Sequence, residues 1–202
     1  MLYLWAESRR CAIAFSIESF KSALTGGGDR TSKFEVRLTI PAIGSGDQAA
    51  QEKFTMTCMA ASVPPMILGV TSVPYFGRDI KVAGDRVYPD WQVTVINDED
   101  QLVRRSFERW SHMINAAQRN TTVAPVGSAP SSYKTDAEVY KYGKDGTLLR
   151  SYRFVGIWPA QVSQIDLNWA DRDRIAEFTV VFAYDYWVND TDILPGDGAT
   201  FF

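Results

Sequence analysis

The sequence predicts a mainly β fold, an antiparallel β-barrel or sandwich of about seven strands flanked by one α-helix. Three observations carry this. Short stretches of strict apolar/polar alternation recur, as at Phe34–Ile40, Trp91–Val95 and Phe178–Tyr186. The turn Gly143-Lys144-Asp145-Gly146 separates two more such stretches, a hairpin signal. One segment carries a full helical stripe, with Val103, Phe107, Trp110 and Ile114 at helical spacing and Leu102 and Met113 widening it. Hairpins with a single substantial helix close most naturally into a small barrel or sandwich plugged by that helix. A chain of 202 residues suits one domain with long excursions.

Taken in order, the first fifteen residues, MLYLWAESRRCAIAF, mix apolar and basic groups. They lack the apolar centre of a secretory signal, which points to folding in a reducing cytoplasm. Ser16–Leu24 reads as a short amphipathic helix stopped by Gly26-Gly27-Gly28. Phe34, Val36, Leu38 and Ile40 alternate with polar residues and form a strand ending at Pro41; a polar loop follows to about Gln51. Phe54, Met56 and Cys58 alternate with Thr55 and Thr57, which predicts an antiparallel partner strand.

Ser62–Arg86 is broken by Pro64, Pro65 and Pro74 and carries Gly69, Gly77 and Gly84. Paired prolines exclude a central strand. The segment nevertheless holds Val63, Met66, Ile67, Leu68, Val70, Tyr75, Phe76 and Ile80, too much apolar surface for a solvated loop. It is read as an extended arm ending in the turn Ala83-Gly84-Asp85, packed on a neighbouring subunit or folded back on its own body.

Trp91, Val93 and Val95 mark the next strand. Asn97 is placed as the cap of the helix, with Asp98, Glu99 and Asp100 in its first turn, where the helix dipole favours acids. The helix ends near Ala117, and a loop runs from Asn120 to Ser132. Asp136–Tyr142 and Thr147–Val155 form the hairpin, and Gly156-Ile157-Trp158-Pro159 breaks its second strand. Ile165, Leu167 and Trp169 alternate again, and a charged turn at Ala170–Arg174 leads to a last strand running to Trp187. A Gly/Asp-bearing tail covers 188–202.

The chemistry-bearing residues argue against catalysis. His112 is the single histidine, which excludes a multi-histidine metal site; late in the helix it complements the dipole. Cys11 and Cys58 lack zinc-ligand spacing, and Cys58 is read as a small core residue. The glycine triplet lacks the Lys-Ser/Thr of a phosphate loop. Carboxylates at 98–100 and at Asp171 and Asp173 lack the ligand order of a calcium loop. A net charge of −3 gives no reason to expect tight binding to a nucleic-acid backbone. No apolar run is long enough to cross a bilayer, so no membrane anchor is expected. No cofactor is implied.

Several motifs together resemble the tail tube proteins of contractile-tailed bacteriophages. They are IKVAGDRVYPDWQVTVINDEDQLVRRSFERW at Ile80–Trp110 and GIWPAQVSQIDLNWADRDRIAEFTVVFAYDYW at Gly156–Trp187. The opening FSIESFKSALTGGGDRTSKFEVRLTIP at Phe15–Pro41 adds to them. AGDR, a DW strand, an INDE helix start, GIWP and a terminal DYW are specific in combination. The chain departs from that pattern over 1–14, expected to be an N-terminal extension before a tube domain at 15–187, and again in the tail.

The resemblance implies a virion protein assembled in the host cytoplasm, with hexameric rings stacked into a conduit for genome ejection, and relatives in the inner tube of type VI secretion. Its implied partners are further copies of itself, the tail sheath protein, baseplate and tail terminator proteins, and a tape measure protein and double-stranded DNA in the lumen. Six subunits lending about four strands each, about 4.8 Å apart, give a circumference on the order of 115 Å. Tilting the strands by about 40° raises it to roughly 150 Å, wide enough for a duplex about 20 Å across. Thr55, Thr57, Gln92 and Thr94 are expected on the lumen face, where Lys or Arg would grip phosphates. Tyr75, Phe76, Gly77, Arg78, Asp79, Ile80, Gly84, Asp85 and Arg86 are expected at contacts between subunits or stacked rings. A baseplate protein of the same fold that starts the tube, and a cytoplasmic β-barrel binding a ligand or single-stranded nucleic acid, are the alternatives.

Overall fold

The computed structural model describes residues 17–41, 47–122, 129–170 and 172–189. The expected N-terminal extension, Cys11, Asp171 and most of the C-terminal tail lie outside them.

Strand formation follows the alternation. In β5 (Trp91–Ile96) and β8 (Glu177–Ala183) every second side chain is buried, and in β1 (Phe34–Leu38) and β6 (Thr135–Tyr142) the buried pairs Val36 and Leu38, and Ala137 and Val139, keep the same spacing. With β2 (Cys58–Ala61), β7 (Leu148–Val162) and β9 (Tyr186–Asn189) they form an antiparallel sheet in the order β1-β6-β7-β8-β5-β2, with β9 added on β7. The sheet does not close. β1 and β2 lie at its two ends and β9 at a third margin.

β7 makes this one sheet act as two. Its first half pairs with β6 and β9, its second half with β8. The change falls at Gly156, whose φ of 70° bends the strand. The ideal position of a Cβ there is 2.3 Å from Asp185 Oδ2. Lys134 Nζ holds that carboxylate at 2.6 and 2.9 Å. The expected break at Gly156-Ile157-Trp158-Pro159 is thus a bend within a continuous strand. Pro159, which has no N–H to give, sits beside a register shift against β8.

The core lies between the two halves, where Trp91 stacks on Phe154 with centroids 4.4 Å apart. The helix α3 (Leu102–Ile114) seals it with Val103, Phe107 and Trp110, and Trp110 Nε1 donates to Tyr133 O at 2.9 Å. α3 begins later than expected. Gln101 is left-handed with φ 50° and makes no side-chain cap, and Asp100 Oδ1 accepts from Leu102 N at 3.1 Å. The acids at 98–100 precede the first turn. Asp98 and Asp100 instead clamp Lys53 Nζ at 2.5 and 2.6 Å.

Three further expectations are corrected. The strand expected over Phe54–Cys58 is the end of a helix, α2 (Asp47–Thr57), followed directly by β2. Ala50 and Phe54 are buried at i, i+4 spacing, and Phe54 meets the Phe107 ring edge-on at 5.7 Å. The good helix formers Gln48 to Lys53 outweigh a period-2 pattern only a few residues long. No strand forms at Ile165–Trp169, because β8 already has β5 and β7 as neighbours. Asn168 Oδ1 instead accepts from Ala170 N at 3.0 Å, which turns the chain locally. Lastly, the final strand is two strands: β8 ends at Ala183, Asp185 N donates to Val155 O at 3.0 Å, and β9 crosses to the other half of β7. The first helix, α1 (Ile17–Ala23), and the glycine stop after it are as expected.

Candidate assembly surfaces

The expected arm is a two-stranded sheet of its own, β3 (Ile67–Tyr75) paired with β4 (Arg78–Val87). Its base is fastened to the core: Trp91 Nε1 donates to Ser62 O at 2.8 Å and Trp187 Nε1 to Pro65 O at 3.3 Å. Beyond that base it stands free. From Pro65 to Val87 every residue is exposed except Gly69 and Gly84, which are half-buried against each other's strands. There is no turn at Ala83-Gly84-Asp85. The strand carries a register shift there, opposite Gly69.

The register sorts the hairpin into two faces. Val73 pairs with Ile80, Thr71 with Val82 and Tyr75 with Arg78, so Val73, Tyr75, Ile80 and Val82 share one face. The other presents Ser72, Pro74, Asp79 and Lys81. An amphipathic strand pair normally turns its apolar face to a core. Here none of the described residues covers it.

At the tip Phe76 has φ 44° and Gly77 φ 80°, both positive as in the tight turns of two-residue hairpins. Glycine takes this conformation freely; an aromatic side chain does so at a cost. Phe76 is also 91% exposed, its ring edge-on to Tyr75 at 4.6 Å. A strained, solvent-facing aromatic contributes nothing to its own fold and is suited to a contact outside it. Tyr75, Phe76, Gly77, Arg78, Asp79 and Ile80 therefore gather at the tip, whereas Gly84, Asp85 and Arg86 lie nearer the base beside Leu68.

The outward faces of the two sheet halves differ in charge. On the β2-β5-β8 half, Gln92 and Thr94 lie beside Val181 and Thr179, and the two threonine hydroxyl oxygens are 3.4 Å apart. Only Glu177 at the strand's end is ionisable on this face of β5 and β8. The two other expected lumen residues do not share it. Thr55 and Thr57 are on α2, where their hydroxyls donate back to Gln51 O at 3.1 Å and Lys53 O at 2.8 Å.

The outward face of β1 and β6 is charged and paired within itself. Arg37 Nε donates to Glu35 at 2.6 Å, Tyr142 donates to Glu35 at 2.8 Å, and Arg37 lies over the Tyr140 ring at 4.8 Å. The Arg37 hydrogen bond holds the Glu35 carboxyl below its ordinary range. Sequence reasoning did not single out this face, because its charges become one surface only through the β1–β6 register.

No cluster of His, Cys, Asp and Glu among the described residues is arranged to hold a metal. Cys58 is half-buried against the core, and that desolvation pushes its thiol up to about 12.

A domain with unclosed sheet margins and a bare apolar hairpin on a well-packed body belongs to the class of self-assembling structural proteins, whose surfaces are completed by neighbouring subunits. The particular family follows from comparison with known proteins: the chain belongs to the phage tail tube protein family, which it matches over residues 29–190. It is 37% identical over 137 residues to the tail tube protein gp19 of Enterobacteria phage T4, covering 67% of this chain and 82% of that protein. It is 23% identical over 177 residues to the tail tube protein of Serratia phage KSP90, covering 87% and 97%.

Among solved structures, a chain of the six-fold symmetrised baseplate of the anti-feeding prophage shares the fold. Its TM-score is 0.58 at 12% identity, over 80% of this chain and 95% of that one. A chain of the sheath/tube terminator of an extracellular contractile injection system does so at a TM-score of 0.55 and 12% identity, over 80% and 96%.

Proposed function

We propose that the chain forms hexameric rings that stack into the inner tube of a contractile phage tail, a conduit through which the genome leaves for the host. The observation that carries this is the free hairpin. A subunit of a tail tube family holds out about 30 Å of two-stranded sheet whose apolar face is left uncovered by the described residues. Within a ring the open sheet margins meet those of neighbours; between rings the arms supply the contact. Single-stranded margins left exposed would otherwise invite aggregation.

The neutral face carrying Gln92, Thr94 and Thr179 lines the bore in this scheme, and the charged β1–β6 face lies away from it. Tape measure protein and double-stranded DNA pass along the neutral wall without sequence-specific contacts. Sheath, baseplate and terminator proteins meet the tube outside and at its ends. The chain acts without catalysis or cofactor, as a component of the virion tail assembled in the host cytoplasm.

Negative-stain images of the purified protein at high concentration test the reading. Long tubes support it. Single rings indicate a tube-starting baseplate subunit, and monomers a ligand-binding barrel. The lumen assignment has its own test in Thr94→Lys: each ring gains a belt of cations on phosphates, so ejection in reconstituted virions slows and becomes salt-sensitive. Ejection at the normal speed would put this face outside the bore.

A further inference from the structure

The hairpin and the segment joining β7 to β8 both expose large apolar side chains, and the register shows that they lie at opposite ends of the same strands. β5 runs from Trp91, where the hairpin is fastened, to Ile96. β8 runs back from Glu177, opposite Ile96, to Phe182, opposite Trp91. The segment joining β7 to β8 leaves Val162 and returns at Glu177, so it lies at the Ile96 end; Asn97 N donates to Ala176 O at 2.8 Å. A six-residue strand separates the two ends by ~20 Å.

That segment presents Leu167, 90% exposed, Trp169, wholly exposed, and Ile175. Their outward display is built rather than loose. Gln164 Nε2 donates to Asp166 Oδ1 at 3.1 Å, and the Asn168 turn on either side holds Leu167 and Trp169 out. A wholly exposed tryptophan is the most costly residue to leave in water, and burying it would remove about 150–250 Å².

We infer that the loop bearing Leu167 and Trp169 is the receptor for the hairpin tip, Tyr75 and Phe76, of a copy in the adjacent ring. This rests on the stacked-ring reading above. Neighbours within a ring join across sheet margins, at right angles to the strands, and so use neither strand end. Copies above and below approach the strand ends, where one carries the arm and the other the loop. An interface between two different patches of the same chain is heterologous, and if it does not close it propagates without limit, as a tube requires. Each contact is small, but six made at once between rigid rings act as one multivalent attachment.

Trp169→Asp tests the loop directly. Because the side chain is wholly exposed among the described residues, rings are expected to form with unchanged mass in solution, while tubes fall at least tenfold in the pelleted fraction. Tubes at the wild-type level would overturn the inference and leave the stacked-ring reading intact.

A second measurement keeps the apolar residues in place. In a Cys11→Ser background, Arg78→Cys beside the tip and Arg172→Cys beside the loop are combined, tubes are assembled, and a short bifunctional maleimide is added. Denaturing gels should show a covalent ladder running past six chains, with none when Met56→Cys on α2 replaces Arg172→Cys. A ladder that stops at six puts the contact within a ring, and intact tubes without crosslinks remove it altogether; either overturns the inference. Wild-type protein that forms neither rings nor tubes overturns the reading beneath it, and the inference with it.

Discussion

β5 and the hairpin β3–β4 are built from the same kinds of residue and meet opposite fates. In β5, Trp91, Val93 and Val95 alternate with polar residues and are fully buried under Phe154, Phe182 and the helix. In the hairpin, Val73, Tyr75, Ile80 and Val82 line one face just as regularly and remain in water. Alternation therefore specifies that a face will be covered, without saying by which molecule. The body of the subunit is stabilised by contacts it makes with itself; in the proposed function the arm gains its contacts from another copy. Substitutions should separate the two, and their expected effects scale with how far each site belongs to the body.

The largest effect is expected at Phe107, which is fully buried and meets the rings of Phe54, Phe178 and Phe182. Phe107→Ala should cost about 3–5 kcal/mol in urea unfolding of the dilute, unassembled chain, and rings should disappear with the fold. A loss below about 1 kcal/mol would mean that the core lies elsewhere.

Gly156→Ala comes next. The substitution puts a Cβ into the Asp185 carboxylate at a residue with φ 70°, displacing the Lys134 pair at the bend of β7. A cost of about 1–3 kcal/mol is expected in the same measurement. Wild-type stability in Gly156→Ala would show that β7 bends without this latch.

Lys53→Ala should be the mildest, because its two carboxylate partners are half-exposed. It also has a pH signature. The Lys53 hydrogen bonds, the largest cause in each case, hold Asp98 and Asp100 below their ordinary value of 3.8. A depressed carboxyl contributes stability that is present above its unfolded value and is lost as pH falls through the folded one. The stability gap between wild type and Lys53→Ala should accordingly be constant near neutrality, begin to shrink as pH drops below about 3.8 and vanish only below the depressed folded values. A gap that widens in acid would contradict the pairing.

How much was legible in the sequence follows the same division. β1, β5, β6 and β8 were readable because a buried face at period 2 sits in their own residues. α3 was readable from its stripe, though its start was not: Asp98 and Asp100 look like a helix start, but they serve Lys53 from α2, a partner 45 residues or more away in the chain. α2 was misread because Phe54-Thr55-Met56-Thr57 alternates by accident over a length at which helix and strand cannot be told apart. Only packing of Phe54 on Phe107 decides it. Leu167 and Trp169 alternate as strand residues would, yet they pair with no strand of the sheet.

At the candidate surfaces, the excess of apolar residues over 62–86 falls on an exposed two-stranded sheet. Its hairpin form was hidden because the turn is Phe76-Gly77, where Asn-Gly would have been the plain signal. Gln92 and Thr94 share one neutral sheet face, whereas Thr55 and Thr57 went to a helix with the residues around them.

The central claim, that the arm serves assembly and the body serves folding, is tested most directly by Phe76→Asp measured in two ways on one preparation. Surface substitutions away from packed features move stability by about ±0.5 kcal/mol or less, so the urea midpoint of the unassembled chain should match wild type. Sedimentation of the same sample at high concentration should find soluble subunits or rings and no long tubes. Recovery of long tubes from Phe76→Asp, or loss of the folded subunit itself, would contradict the account.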